Sequence, residues 1–119
     1  MSGKDKIYGG AGIDIIYGGH LGDEIHGGED ADFLYGEGGD DIIWGDEGAD
    51  VIKAGYGWDT VFGGPGCDEI HVFDGGDVVW LGDCEEDTPQ KVFIYGTGTD
   101  PENFTVVMDF WLEDSKPWN

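Results

Sequence analysis

Gly9-Gly10-Ala11-Gly12-Ile13-Asp14-Ile15-Ile16-Tyr17 is followed by Gly18-Gly19-His20-Leu21-Gly22-Asp23-Glu24-Ile25-His26, then by Gly27-Gly28-Glu29-Asp30-Ala31-Asp32-Phe33-Leu34-Tyr35. The blocks superpose as Gly-Gly-x-Gly-x-Asp-x-aliphatic-x, and the pattern runs on to Trp80 in units starting at residues 9, 18, 27, 36, 45, 54, 63 and 72. Position six is Asp5, Asp14, Asp23, Asp32, Asp41, Asp50, Asp59, Asp68 and Asp77 in turn, without exception. Position eight is Ile7, Ile16, Ile25, Leu34, Ile43, Ile52, Val61, Ile70 and Val79. Upstream, Gly3, Asp5, Ile7 and Tyr8 already form a partial unit. Each unit reads as a glycine-rich turn followed by a short β-branched or aromatic strand. Departures fall at Leu21 and Asp30 (position four), Glu37 and Asp46 (position two), Ala54 (position one) and Val72-Phe73, where the array is ending.

The 119 residues suit one domain or a fragment of one, with 27 acidic residues against 5 Lys and Arg, a formal charge of −22, and 24 Gly. Such a chain repels itself and loses much backbone entropy on ordering, so it needs cationic partners. Nucleic acid and anionic membrane surfaces select the opposite sign, so the charge balance argues against them as partners. No run reaches the ~20 apolar residues of a membrane span, and Met1 to Asp5 has no signal-peptide core.

The nonapeptide resembles the RTX, or haemolysin-type calcium-binding, repeat family. The resemblance covers roughly residues 3 to 81. It implies an all-β, right-handed parallel β-roll, a β-solenoid with 18 residues per rung, in the repeat domain of a bacterial protein exported by type I secretion. It also implies a secreted, extracellular or cell-surface location and a larger secreted protein around this segment. Residues 1–81 would be the roll and 82–119 a capping segment. In such a roll position eight points inward, giving a thin aliphatic core, while positions seven and nine point outward.

Calcium takes six to eight oxygen ligands, many of them backbone carbonyls. Units two apart share an edge, so one edge carries Asp14, Asp32, Asp50 and Asp68 and the other Asp5, Asp23, Asp41, Asp59 and Asp77. The resemblance implies an ion between stacked turns, held by the carboxylates and by carbonyls of positions two and four of one turn and one and three of the next. On the first edge the sets are Gly10, Gly12, Asp14 with Gly27, Glu29, Asp32; Gly28, Asp30, Asp32 with Gly45, Glu47, Asp50; and Asp46, Gly48, Asp50 with Gly63, Pro65, Asp68. On the second they are Gly19, Leu21, Asp23 with Gly36, Gly38, Asp41; Glu37, Gly39, Asp41 with Ala54, Tyr56, Asp59; and Gly55, Gly57, Asp59 with Val72, Asp74, Asp77. Asp5 and Asp23 frame a seventh gap that would draw on Met1. About six or seven Ca2+ ions follow, and seven would bring the charge from −22 to about −8. The side chains of Glu24, Glu29, Glu47, Glu69 and Glu102 are expected to be solvated.

Beyond Trp80, an acidic turn (83–87) leads to an apolar strand, Val92 to Tyr95, and a second apolar run, Phe104 to Leu112. The two are expected to pair as a β-hairpin-like cap over the open end of the roll. Cys67 and Cys84 lie one residue short of a full rung on the edge carrying Asp68, so their Cα separation suits a disulfide. Asp100-Pro101 matches the bond that some RTX proteins cleave, but the module for that activity is not visible in this sequence.

An enzyme reading finds no nucleophile, base or pocket. Gly10 to Gly12 and Gly55 to Gly57 lack the third glycine and helix of a dinucleotide site, no P-loop or EF-hand spacing fits, and His20, His26 and His71 lack zinc spacing. Asn103-Phe104-Thr105 matches a glycosylation sequon, idle in a bacterial chain. Two functions remain: a calcium-binding module that folds on calcium binding outside the cell, or a calcium-dependent adhesion or self-assembly module. The second would use the outward aromatics Tyr8, His26, Trp44, Phe62 and Trp80, which share one face, with self-association through Tyr8, Trp44, Phe62 and Trp80.

Overall fold

A computed structural model describes residues 4–73 and 77–82 in full and the backbone of 91–94 and 106–108. Its elements are strands: β1 (Lys6–Tyr8), β2 (Ile15–Gly19), β3 (Glu24–His26), β4 (Phe33–Glu37), β5 (Ile42–Trp44), β6 (Val51–Lys53), β7 (Thr60–Phe62), β8 (Glu69–Val72), β9 (Val78–Trp80), β10 (Lys91–Ile94) and β11 (Val106–Met108). The chain climbs by alternating between two parallel sheets. One has the order β1-β3-β5-β7-β9-β11 and the other β10-β8-β6-β4-β2. The result is an all-β solenoid of about 4 turns with about 18 residues per turn. Registers such as Ile7↔Ile25, Ile25↔Ile43 and Ile43↔Val61 put each position eight directly over its equivalent one rung on.

Parallel pairing buries both ends of each short strand's hydrogen bonding and leaves alternation to sort the side chains. Ile25, Leu34, Ile43, Ile52, Val61, Ile70 and Val79 are fully buried, and Ile16 nearly so. They form one core with Ala54 and Val72, against which Ile7 and Leu81 pack. Each aliphatic buried in this way contributes about 1.5–3 kcal/mol. The inward phase of position eight is as the sequence predicts.

The expected terminal hairpin is not formed. β10 pairs in parallel with β8 and β11 in parallel with β9, so the last two strands lie in different sheets and extend the roll. Their apolar content reads equally well as a hairpin or as two more rungs; the exposed edges of β8 and β9 decide, since each offers an unpaired row of backbone groups.

Candidate metal centres

The turns connecting these strands need backbone that side chains strain to adopt. Gly28 has a φ of 99°, and a β-carbon there would collide with the carbonyl of Gly10 in the turn one rung before. Gly66 repeats this at φ 118° against Gly48. Close stacking of this kind aims each turn's carbonyls at the next turn and brings the position-six aspartates into line.

Each position-six aspartate from Asp23 onward is fixed in the same way. On the first edge, the backbone N–H groups of Asp14, Asp32 and Asp50 donate to Oδ1 of Asp32, Asp50 and Asp68 at 2.8, 2.8 and 2.9 Å. On the second, Asp5, Asp23, Asp41 and Asp59 donate to Asp23, Asp41, Asp59 and Asp77 at 2.8, 2.8, 2.7 and 2.7 Å. Two carboxylate spines therefore run the length of the roll, with Asp23, Asp32, Asp41, Asp50, Asp59, Asp68 and Asp77 at most 3% exposed.

The other oxygen has no such provision. Oδ2 of Asp5, Asp14, Asp23, Asp32, Asp41, Asp50, Asp59 and Asp68 is buried without a hydrogen-bond partner among the described residues. It points at the inner side of its own turn. The β-carbon that Gly9 lacks would sit 2.7 Å from Asp14 Oδ2 and 2.5 Å from the Gly27 carbonyl oxygen. The same pairing recurs for Asp23 with Gly36 O at Gly18, Asp32 with Gly45 O at Gly27, Asp41 with Ala54 O at Gly36, and Asp50 with Gly63 O at Gly45. These orphaned carboxylate oxygens, each with a main-chain carbonyl of the next rung close by, are hard oxygen donors of the kind calcium takes.

Of the predicted carbonyls, those of position one (Gly27, Gly36, Gly45, Ala54 and Gly63) are thus brought to the carboxylates. Position-two carbonyls are partly engaged: Gly10, Gly19 and Glu37 accept N–H bonds from Glu29, Gly38 and Tyr56 at 3.1, 3.0 and 2.9 Å. A carbonyl has a second lone pair, so each retains one acceptor direction. Position-four carbonyls of Asp30, Gly39 and Gly48 face the α-carbons of Gly48, Gly57 and Gly66 one rung on. Asp74, Met1, Cys84, Glu102, Asn103 and Asp100-Pro101 lie outside the described residues.

Sequence reasoning missed two features. The position-one glycines Gly9 and Gly18 act by leaving the inner side of the turn open, and the recurrence of glycine there in every unit from Gly9 to Gly45 was the available signal. Asp68 Oδ2 and the Leu81 carbonyl form the same pair beside Gly63, at 2.6 and 2.8 Å from its missing β-carbon, although Leu81 breaks the motif.

Burial dominates the electrostatics. It pushes Asp41 up to about 7, Asp50 to about 8 and Asp59 and Asp68 to about 9, with Asp32 also raised. Neighbouring carboxylates add to the rise, against the opposing pull of the preceding turn's N–H.

Among the described residues no three His, Cys, Asp or Glu side chains converge as a metal set, so any ion between these turns would rely on main-chain oxygens beside its carboxylates. The histidines are dispersed. His26 lies within a ring ladder and His71 contacts Glu69 at 2.8 Å, while His20 sits on an exposed turn. Glu24, expected to be solvated, is half-buried, with its carboxylate 3.8 Å from Lys6 and 3.7 Å from His26. No helix among the described residues is long and apolar enough to cross a membrane.

Outside the turns, Tyr8, His26, Trp44, Phe62 and Trp80 stack in one ladder, with successive centroids 4.6, 4.3, 5.4 and 6.0 Å apart and planes within 13°. The opposite sheet shows Ile15, Tyr17 and Phe33 exposed at its first rungs, a patch that sequence reasoning passed over. Cys67 is disulfide-bonded. The only other cysteine in the sequence is Cys84.

A family model described as the RTX calcium-binding nonapeptide repeat (4 copies) matches residues 1–20, 22–52 and 53–83. No curated protein and no solved structure matches the chain.

Proposed function

The chain belongs to the RTX calcium-binding nonapeptide repeat family, and from that premise we propose that it is a calcium-responsive folding module of a larger secreted bacterial protein. Calcium supplies positive charge between the stacked turns. The carboxylates of Asp14, Asp23, Asp32, Asp41, Asp50, Asp59, Asp68 and Asp77, with Asp5 at the end, hold about six or seven ions together with the turn carbonyls.

The observation that carries this reading is the row of buried, unpartnered Oδ2 atoms. A buried ionised carboxylate without a counter-charge costs several kcal/mol, and a domain's whole net stability is only about 5–15 kcal/mol. Eight such groups cannot all be ionised in a folded chain unless cations neutralise them. With 24 Gly and a charge of −22, the chain without calcium stays disordered, and metal binding is folding. Extracellular calcium modules bind at roughly 10⁻⁴ to 10⁻³ M, so a calcium-poor cytosol leaves the chain unfolded for export and folding begins outside. No catalytic role is assigned, because the phase-six carboxylates that could form an acid pair are engaged in the two spines. Circular dichroism at neutral pH tests the proposal: sheet signal should appear between chelator and millimolar calcium, and identical spectra would overturn it.

The ring ladder favours a second role, calcium-dependent adhesion or self-association. Five rings in register on one face, with Tyr8 66% exposed, form an apolar strip of the kind that marks interfaces. Trp44→Ser with Phe62→Ser should convert any oligomer seen on a sizing column in calcium to monomer. An unchanged elution volume would refute that interface.

A further inference from the structure

Position three of the repeat carries a side chain in every unit from Gly9 to Trp80 except one, where it is Gly38. The backbone there does not require glycine. Gly38 lies outside the positive-φ residues, unlike Gly39 beside it at φ 94°, and an added β-carbon would meet only His20, in ordinary contact at 3.5 Å and beyond. On the second edge Gly38 falls between His20, one rung before, and Tyr56, one rung after. Two rings about 9.5 Å apart, twice the strand spacing, thus flank a position with no side chain. A cavity of about 360 Å³ opens at that place, lined by His20, Glu37, Gly38, Gly55, Tyr56 and Phe73.

Its floor is tied down, because Gly38 N–H donates to the Gly19 carbonyl at 3.0 Å and Tyr56 N–H to the Glu37 carbonyl at 2.9 Å. Its walls are aromatic: the Tyr56 and Phe73 rings meet at 6.0 Å, tilted by 40°. The one carboxylate among the lining residues belongs to Glu37. Glu37 holds a φ of 72°, a conformation that strains any side chain. Asp30 and Asp46 share that strain but recover part of it by accepting from Gly12 and Gly28 N–H. The exposed Glu37 side chain has no hydrogen bond or ion pair to the described residues. Strain without a local return is a feature of ligand-binding positions.

We propose that this notch binds a quaternary ammonium group, with its methyl groups against the Tyr56, Phe73 and His20 rings and its charge toward the Glu37 carboxylate. Aromatic faces and a carboxylate both attract a cation, and the chain around them carries a formal charge of −22. An anion is repelled by the same groups. A bare metal ion needs several oxygens at once, and no three acidic, thiol or imidazole side chains converge among the described residues. The volume suits a small organic ligand. The site is built from side chains on the outside of the turns, apart from the position-six carboxylates, so it rests on the stacking of the rungs and not on the number of calcium ions held between them.

Calorimetric titration of choline chloride into the calcium-loaded chain, against a matched sodium chloride blank, should show one saturable site. Glu37→Gln should weaken it at least tenfold, and Gly38→Val, which fills the notch, should abolish it while the sheet signal in circular dichroism stays unchanged. Glu37→Gly should also lose binding yet melt no lower than wild type, which separates a ligand role from a folding role and decides the matter even if Gly38→Val fails to fold. The neutral isostere of choline, with carbon in place of the ammonium nitrogen, should bind at least tenfold more weakly. Absence of saturable choline binding to the folded wild type would overturn the proposal, as would undiminished binding in Glu37→Gln or in a folded Gly38→Val, or equal affinity for the neutral isostere.

Discussion

Asp30, Glu37 and Asp46 hold φ values of 76°, 72° and 66° at turn positions where the repeat otherwise uses glycine. A side chain in this region costs about 1–2 kcal/mol. The two aspartates recover part of that, because Asp30 accepts from Gly12 N–H at 2.9 Å and Asp46 from Gly28 N–H at 3.2 Å. Glu37 is exposed and its neighbouring turn uses its carbonyl instead. Glu37→Gly should therefore raise stability in calcium by up to about 1 kcal/mol after the entropy of an added glycine is deducted, whereas Asp30→Gly should be nearly neutral. Thermal melts of the two variants check the contrast. At the spine, Asp50→Asn keeps the shape and the Oδ1 acceptor for Asp32 N–H but removes the charge. Because Asp50 borders two gaps, calcium binding there should weaken roughly tenfold or more per site, about 1.4 kcal/mol each. Calorimetric titration of calcium into Asp50→Asn and into Glu47→Gln, whose side chain is exposed, should show a loss only in the first.

At the scale of the strand, three residues have two jobs. In β5, Ile43 is fully buried while Trp44 stacks between His26 at 4.3 Å and Phe62 at 5.4 Å on the outside. Ile43→Ala leaves a hole in a core one side chain thick and should cost about 2–5 kcal/mol. Trp44→Ala forfeits two ring contacts of about 0.5–1.5 kcal/mol each and should cost less. Denaturant unfolding in saturating calcium would rank them, and a larger loss for Trp44→Ala would show that the ladder rather than the core holds the sheet. The strands were legible from period alone, since aliphatic residues every nine positions define both the inward phase and the rung. The final pair was not, because Val92 to Tyr95 and Phe104 to Leu112 carry no repeat phase that says which edge each will join.

For the molecule as a whole, charge balance sets the conditions of folding. Burial raises Asp41, Asp50, Asp59 and Asp68 to about 7, 8, 9 and 9, above the unfolded value of about 3.9. The folded state thus binds more protons than the unfolded one. Without calcium, this contribution favours folding below about pH 4 and is lost as pH rises through 7 to 9. Calcium-stripped protein should show its strongest sheet signal near pH 4 and lose it by pH 9, while calcium-loaded protein should keep it at pH 8. A stripped sample that gains sheet as pH rises would contradict the buried-carboxylate account.

The sequence by itself determined the period, the inward aliphatic column, the two rows of aspartates and the need for cations, because each is a matter of residue type at fixed phase. Tertiary structure alone decided which carboxylate oxygen is left without a partner, since that depends on where the backbone N–H of a residue 18 positions earlier comes to lie. It also decided that β10 and β11 extend separate sheets. These are contacts between rungs, and a repeat fixes them only once the rungs are stacked.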